Sequence, residues 1–564
     1  MSPRRHLRIL ALAACLAAPG SAFAGGVVTA CASDTQTGAG LNLTNALASG
    51  GTVTFACKAG ATIEILQSHT VSGTVVVDGA VTLKSQSYHA MFLVPGDLTF
   101  RGVTLINPYV GLKTSTGPSG IATGPGSLTL INSRVTGSVN PFYVETVEIQ
   151  HSVFENNPTF VLITAGIVVI SDSDFTNNAG AIVLRSNRPA GSGRTTVASI
   201  ENSRFRNNGL PIQWTGRLTL KKSEFHNNGI ARNSGGAVRL SGQGIVDHTL
   251  FDGNTAAEGG AIWLDGGTLS LERAIFRNNT AQKDGGAIGV GERAEGSIIS
   301  RYGTFTANKA ARGGAIKLAW SGATIALQGG PNTFARNTAN LGGAIFSELG
   351  RIQLQRGVFV ENTAATEGGA IYASRRGPDW AAVLANSLVV RNAAPDAAAI
   401  SGSALTLINS TIAGNSGLAI GLRPLSHFAP AGARPALELR NAVIANNAGG
   451  NCAKPPPGLA LSGNGHNLQF PGAQCGGMAV GDPLLSPLYE PGTGSPALTG
   501  GENTICANTP ISARDVYGAS RPQGAACSIG AVEGDVDPRL FQKLLSRLGD
   551  RIRHNLSVLA SSLR

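Results

Sequence analysis

Three things are scarce in this sequence. Charged residues make up 14% of its 564 positions and aromatic residues 5%, and beyond residue 24 no segment approaches the roughly 20 apolar residues a membrane-crossing helix needs. The shortage of charge, beside 75 glycines, describes a chain poor in helix formers and rich in turns and small side chains. The shortage of apolar runs excludes a helical membrane span after the N-terminus. Setting aside Arg4, Arg5 and Arg8 reduces the formal charge from +11 to +8, too slight an excess to indicate nucleic acid as a partner. No Cys-x-x-Cys spacing and no paired histidines occur, so neither a metal nor any other cofactor is expected.

What is present begins with an export signal. Arg4, Arg5 and Arg8 precede an apolar run from Ile9 to Ala18, and Ala22-Phe23-Ala24 supplies small residues for cleavage, so residues 1–24 read as a signal peptide. The expected location is therefore outside the cytoplasm, secreted or at the outer membrane or cell surface. Six cysteines follow, in three sequence-local pairs: Cys31 with Cys57, Cys452 with Cys475, Cys506 with Cys527. In an exported chain these read as disulfides that staple the two ends.

Between the staples one unit recurs. Phe154, Phe175, Phe205, Phe225, Phe251, Phe276, Phe305, Phe334 and Phe359 each have Asn three residues on: Asn157, Asn178, Asn208, Asn228, Asn254, Asn279, Asn308, Asn337 and Asn362. Val389/Asn392, Ile412/Asn415 and Val443/Asn446 continue the series with an aliphatic residue in the aromatic place. The period of 20 to 31 residues signals a solenoid. The segments between, such as "LTLINS", "GIVVIS" and "RLTLKKS", alternate like short strands. A parallel β-helix follows, in which equivalent residues form columns along the axis. The phenylalanines are expected to stack inside it. The asparagines are expected in a turn, adopting left-handed backbone and bonding to neighbouring coils. Gly-Gly at 235–236, 259–260, 285–286, 313–314, 342–343 and 368–369 is expected to supply positive φ.

The tandem Phe-x-x-Asn and Gly-Gly-Ala-Ile motifs resemble the polymorphic outer membrane protein repeat known from chlamydiae. That resemblance covers residues 150–450 and implies a right-handed, pectate-lyase-like parallel β-helix at a cell surface, associated with adhesion. The start "LTNALASGGTVTFACKAGATIEI" is similar to the capping coils of secreted β-helix proteins. The segment "GDPLLSP…SPAL…ARDVYGASRPQGAACSIGAVE" is similar to the module called choice-of-anchor Q. The chain departs from these patterns in having no C-terminal β-barrel, sorting motif or hydrophobic tail. The expected organisation is a signal at 1–24, capping coils at 25–150, repeats at 151–450 and a disulfide-stapled β module at 451–535. A basic amphipathic helix is expected at 536–564. Asp537 and Pro538 suit its start, Phe541, Leu545, Leu548 and Ile552 form one face, and Lys543, Arg547 and Arg551 the other. It would either pack along the solenoid or touch an anionic membrane.

Candidate chemistry is sparse. Asp172 and Asp174 lie two apart, and Asp247-His248 are strand neighbours expected to point to opposite faces. The residues before Gly-Gly, Ser234, Glu258, Asp284, Arg312, Leu341 and Glu367, form a mixed column. No carboxylate cluster suited to hydrolysis emerges, and no catalytic residue is assigned. A second column carries more. In each Gly-Gly-Ala-Ile strand one residue lies between two inward aliphatics and should point out: Arg239, Trp263, Gly289, Lys317, Phe346 and Tyr372. Exposed aromatics interleaved with cations suit an anionic glycan, with Arg239, Trp263, Lys317, Phe346 and Tyr372 as binding residues. The expected function is a non-catalytic, adhesive or glycan-binding surface protein. The alternative is a lyase or glycoside hydrolase acting on an anionic polysaccharide.

Overall fold

The computed structural model describes residues 25–534, apart from 39, 86–89, 108–120, 139–141, 159–160, 180–181, 186–195, 292–295, 319–322, 375–381, 424–435, 455–459 and 464. The signal expected at 1–24 and the amphipathic helix expected at 536–564 lie outside the described residues.

The chain is all-β, a right-handed parallel solenoid with very little helix. Successive coils pair in parallel and nearly in register, so each sequence repeat lands on the one before it. Phe225 lies opposite Phe251, Phe251 opposite Phe276, and Phe276 opposite Phe305. Three sheets wrap a continuous apolar core. The first carries strands such as Ser127–Ile131 and Thr146–Gln150, the second the short Phe-bearing strands, and the third the Gly-Gly-Ala-Ile strands. In mid-solenoid the third and first sheets share single long strands, as in Val238–Asp247 and Ile262–Glu272.

Alternation explains the core. In Ser127–Ile131, Leu128 and Leu130 are buried while Ser127, Thr129 and Ile131 are not. The nine phenylalanines are fully buried, and from Phe175 to Phe359 their rings stack at 4.6–5.0 Å within 8° of parallel. Parallel register forces that offset stack, because each coil repeats the previous χ angles one strand spacing further on.

The asparagine ladder bonds in three ways per rung. Asn254 donates its backbone N–H and its Nδ2 to Asn279 Oδ1 at 3.0 and 2.9 Å, and Nδ2 also donates to Phe225 O at 2.9 Å. One expectation is corrected here. The left-handed residue is not the ladder asparagine but the residue before it, Asn156, Asn177, Asn207, Asn227 and Asn278 among them. The turn bends one position earlier, which aims the next side chain inward along the axis. The last unit is also shifted by one. Ile444, opposite Ile412, takes the aromatic place, and Asn447 accepts from Asn415, while Asn446 holds the left-handed position.

The Gly-Gly pair divides its labour. Gly259, Gly285, Gly313, Gly342 and Gly368 have φ between +61° and +66°. The second glycine has ordinary φ, but a Cβ on Gly260, Gly286 or Gly314 would overlap the carbonyl oxygen of the second glycine one coil on. Only the first is there for positive φ; the second is there for close backbone approach.

Both ends are closed. Helix Leu43–Ala48, capped by Asn42 accepting from Asn45 N–H, buries Leu43, Ala46 and Leu47 on the first coils. All three expected disulfides are formed. Residues 482–534 fold back as a clasp along the outside of the second sheet. The outer positions of that sheet change character to match. Early coils present Arg134, Glu155, Asp174, Arg204 and Arg206, and later ones Val358, Val360, Leu388, Val390 and Val443. The apolar stretch packs against Leu485, Tyr489, Ala497, Val516, Tyr517, Ile529, Ala531 and Val532 of the clasp.

Candidate surface site at the glycine corner

The Gly-Gly turn bends the chain sharply between two outward-facing columns. Ser234, Glu258, Asp284, Arg312, Leu341 and Glu367 stand on one wall, one residue per coil. Arg239, Trp263, Gly289, Lys317, Phe346 and Tyr372 stand on the other, also in register. The expected column therefore exists. Its expected exposure does not: Trp263 is 6% exposed, Phe346 3% and Lys317 1%, and only Arg239 and Tyr372 are half-buried.

The reason is the shape of the corner. Outward side chains on both walls of a concave bend converge, and here they interlock with an offset of one coil. Asp284 Oδ2 meets Lys317 Nζ of the next coil at 3.5 Å, the Arg312 guanidinium lies 5.5 Å from the centre of the Phe346 ring, and Glu367 accepts from the Ser401 hydroxyl. Alternation in a strand tells inward from outward, and outward was read as exposed; in a concavity the two differ.

Arg239, Arg312, Lys317 and Arg423 are each already engaged. Arg239 donates to both oxygens of Asp265 at 2.7 and 3.1 Å, and Arg312 to both of Asp284 at 2.7 and 2.8 Å. Arg423 clasps Glu367 in the same two-pronged way, with Asp396 3.6 Å away. Lys317 also donates to Val290 O at 3.4 Å. These hydrogen bonds, more than the nearby carboxylate charge, hold the Arg239 and Arg423 guanidinium pKa above its usual value.

The aromatics are placed by their neighbours. Trp263 Nε1 donates to Asp265 at 2.9 Å, and its six-membered ring lies across Gly289, where a Cβ would come within 2.7 Å of Cε3 and Cζ3. Phe346 and Tyr372 stack at 5.0 Å and 11°. Among the described aromatics of this column Tyr372 is the most exposed. Burial first, then the Glu367 charge, raises its hydroxyl pKa, so the phenol stays neutral and able to donate at physiological pH.

The other candidate residues do not converge. Asp172 sits in a left-handed turn 3.9 Å from His151, whereas Asp174 is bound by Arg204 through Nε at 2.6 Å and Nη2 at 2.5 Å. Asp247 and His248 do meet, at 2.6 Å, contrary to expectation, because His248 leaves the strand with φ +47° and swings to the same side. Among the described residues no three His, Cys, Asp or Glu side chains gather as metal ligands would.

A second polar ladder was not anticipated. Ser133, Ser152, Ser173 and Ser203 each donate backbone N–H to the hydroxyl of the next member, Ser152, Ser173, Ser203 and Ser223, at 3.1–3.2 Å. Its signal was in the sequence: Ser follows a left-handed residue in "NS", "HS", "DS", "NS" and "KS" at positions 132–133, 151–152, 172–173, 202–203 and 222–223.

Comparison with known proteins agrees with this geometry in two places. A family model described as right handed beta helix region matches residues 161–339. A model for the chlamydial polymorphic membrane protein repeat matches residues 357–374, the coil that carries Phe359, Asn362 and Tyr372. Together they suggest an exported protein of the outer membrane or cell surface. No match was found among curated proteins or among solved structures. No helix among the described residues is long and apolar enough to cross a membrane.

Proposed function

We propose that this chain is a non-catalytic surface β-helix that adheres to glycans through the glycine corner. The observation that carries this reading is Tyr372, a half-buried ring stacked on Phe346, rimmed by Arg423, Glu367 and Ser401. A sugar ring can lie on the remaining aromatic surface while the rim supplies donors and acceptors for its hydroxyls. The binding set moves accordingly. Tyr372 would touch ligand, Phe346 and Lys317 would support the wall beneath it, and Trp263 and Arg239 would do so further along the axis.

The test is a glycan array probed with residues 25–564, wild type and Tyr372→Ala. Binding to a defined set, weakened at least tenfold (about 1.4 kcal/mol) in the variant, is the expected result. Binding unaltered by the substitution would refute the corner as the contact. The enzyme alternative has one observation in its favour, the Asp247–His248 contact at 2.6 Å. It predicts new reducing ends or unsaturated uronate from a bound glycan, lost in His248→Ala. Contact of residues 536–564 with an anionic membrane is likewise proposed on sequence alone. Flotation with phosphatidylglycerol vesicles, comparing residues 25–564 with 25–535, decides it.

A further inference from the structure

We infer that the glycan accepted at this corner is electrically neutral, not acidic. The inference rests on the proposed contact through Tyr372 and names its ligand class, reversing the anionic preference that the interleaved cations suggest in sequence.

The charge inventory comes first. Among the described residues the charged groups engaged at the corner are four cations, Arg239, Arg312, Lys317 and Arg423, and five carboxylates, Glu258, Asp265, Asp284, Glu367 and Asp396. These described groups do not make a positive patch. Geometry adds to this. Three guanidiniums are held by two hydrogen bonds each, so their charge is already balanced by an internal carboxylate before a carboxylate or sulfate arrives. Displacing Asp284 or Glu367, whose side chains are 1% and 7% exposed, would leave a buried charge without its partner. Lys317 has 2% of its side chain exposed and cannot reach a ligand at all.

A neutral polyol meets no such obstacle. The Arg239 and Arg423 side chains keep 41% and 43% of their surface exposed. Each outer edge offers N–H donors beside carboxylate acceptors, and a hydroxyl is both donor and acceptor, so vicinal hydroxyls match such an edge without net charge. Arg239 stands five coils from Tyr372 on the same wall, about 24 Å away, and Arg423 bonds Glu367 on the facing wall beside Tyr372. The arrangement fits an extended, uncharged oligosaccharide lying along the solenoid.

The experiment titrates residues 25–564 calorimetrically with β-1,4-linked glucohexaose and mannohexaose and with hexagalacturonate, each in 20 mM and 500 mM NaCl. The variants are Tyr372→Ala and Tyr372→Phe, the latter keeping the stack on Phe346. Saturable binding of a neutral hexamer is expected, changing less than twofold with salt. It should fall at least tenfold in Tyr372→Ala and stay within threefold in Tyr372→Phe. Binding of hexagalacturonate alone, weakened tenfold by salt and lost in Tyr372→Ala, would overturn the neutral assignment while leaving the corner as the contact. Binding of none of the three, or binding indifferent to Tyr372→Ala, would overturn the corner reading and this inference with it.

Discussion

Asn308→Ala is the substitution that asks most of the ladder. Asn308 Oδ1 accepts from Asn279 N–H at 3.1 Å and from Asn279 Nδ2 at 2.9 Å, and its own Nδ2 donates to Phe276 O and Asn337 Oδ1 at 3.0 Å each. Alanine removes all four bonds. Asn279 Nδ2 keeps Phe251 O, and Asn337 Oδ1 keeps the Asn308 backbone N–H, so those groups are only partly stripped. The Asn279 backbone N–H loses the partner the ladder gave it, in a fully buried site. One orphaned buried donor at about 1–3 kcal/mol, plus about 1 kcal/mol for each of the other three bonds, gives a cost of about 4–6 kcal/mol. In a solenoid each coil touches only its neighbours, so the damage should be local. Hydrogen exchange, read peptide by peptide, is therefore the assay, with urea unfolding beside it. Protection should fall most around 276–281 and 305–310 and little at the N-terminal cap. Lys309→Ala, one residue on and exposed, serves as control and should shift stability by less than about 0.5 kcal/mol. A change below about 1 kcal/mol in Asn308→Ala, with the Asn279 amide still protected, would refute the claim that the ladder stabilises the turn.

Other consequences can be checked in the same preparations. Phe305→Ala removes a fully buried ring stacked on both sides and should cost about 3–5 kcal/mol in urea unfolding, again with loss of protection centred on its own coil. Gly286→Ala places a methyl group against Gly314 O and should expose the corner locally, seen as faster exchange in residues 285–290 and 313–318. His69 is buried against Asp34 at 2.9 Å, and burial lowers its pKa below 6.5 in spite of that carboxylate. Because the folded pKa lies below the unfolded one, the stabilisation is fully present above pH 6.5 and is lost as pH falls through the folded value. Exchange in the N-terminal cap should thus accelerate between pH 7 and pH 5 beyond the intrinsic trend, and that excess should vanish in His69→Gln. Arg521 is 3% exposed and donates to Ser528 O and Gly530 O beside Glu533. Arg521→Met should loosen the clasp by about 3–5 kcal/mol, read as proteolysis within 482–534 while the coils stay intact.

The parts of the fold legible in the sequence were those written as columns. Phenylalanine every 20 to 31 residues with asparagine three further on has few physical meanings other than a stacked coil, and the cysteine pairs lay near enough in sequence to be read as staples. What was misread lay between columns. The outward position of Trp263, Phe346 and Lys317 followed from alternation, but the bend that buries them depends on the curvature of the Gly-Gly turn, which no single strand records. The left-handed residue was placed one position late because asparagine occupies both sites in "NN". Val358, Leu388 and Val390 carried the clue to the clasp, apolar residues at outer positions where earlier coils have Asp174, Arg204 and Glu224. That clue is visible only once the register of the coils is known.

Function is proposed for the corner and architecture for the ladders, and Tyr372 divides the two most directly. The chain has seven tyrosines, so 3-fluorotyrosine labelling gives a short ¹⁹F spectrum in which Tyr372→Phe identifies one line. Titration with the glycan that the array selects should move the Tyr372 line in a saturable way and leave the Tyr489 and Tyr517 lines, which belong to the clasp, in place. A glycan that binds while the Tyr372 line stays still and another tyrosine moves would contradict the account.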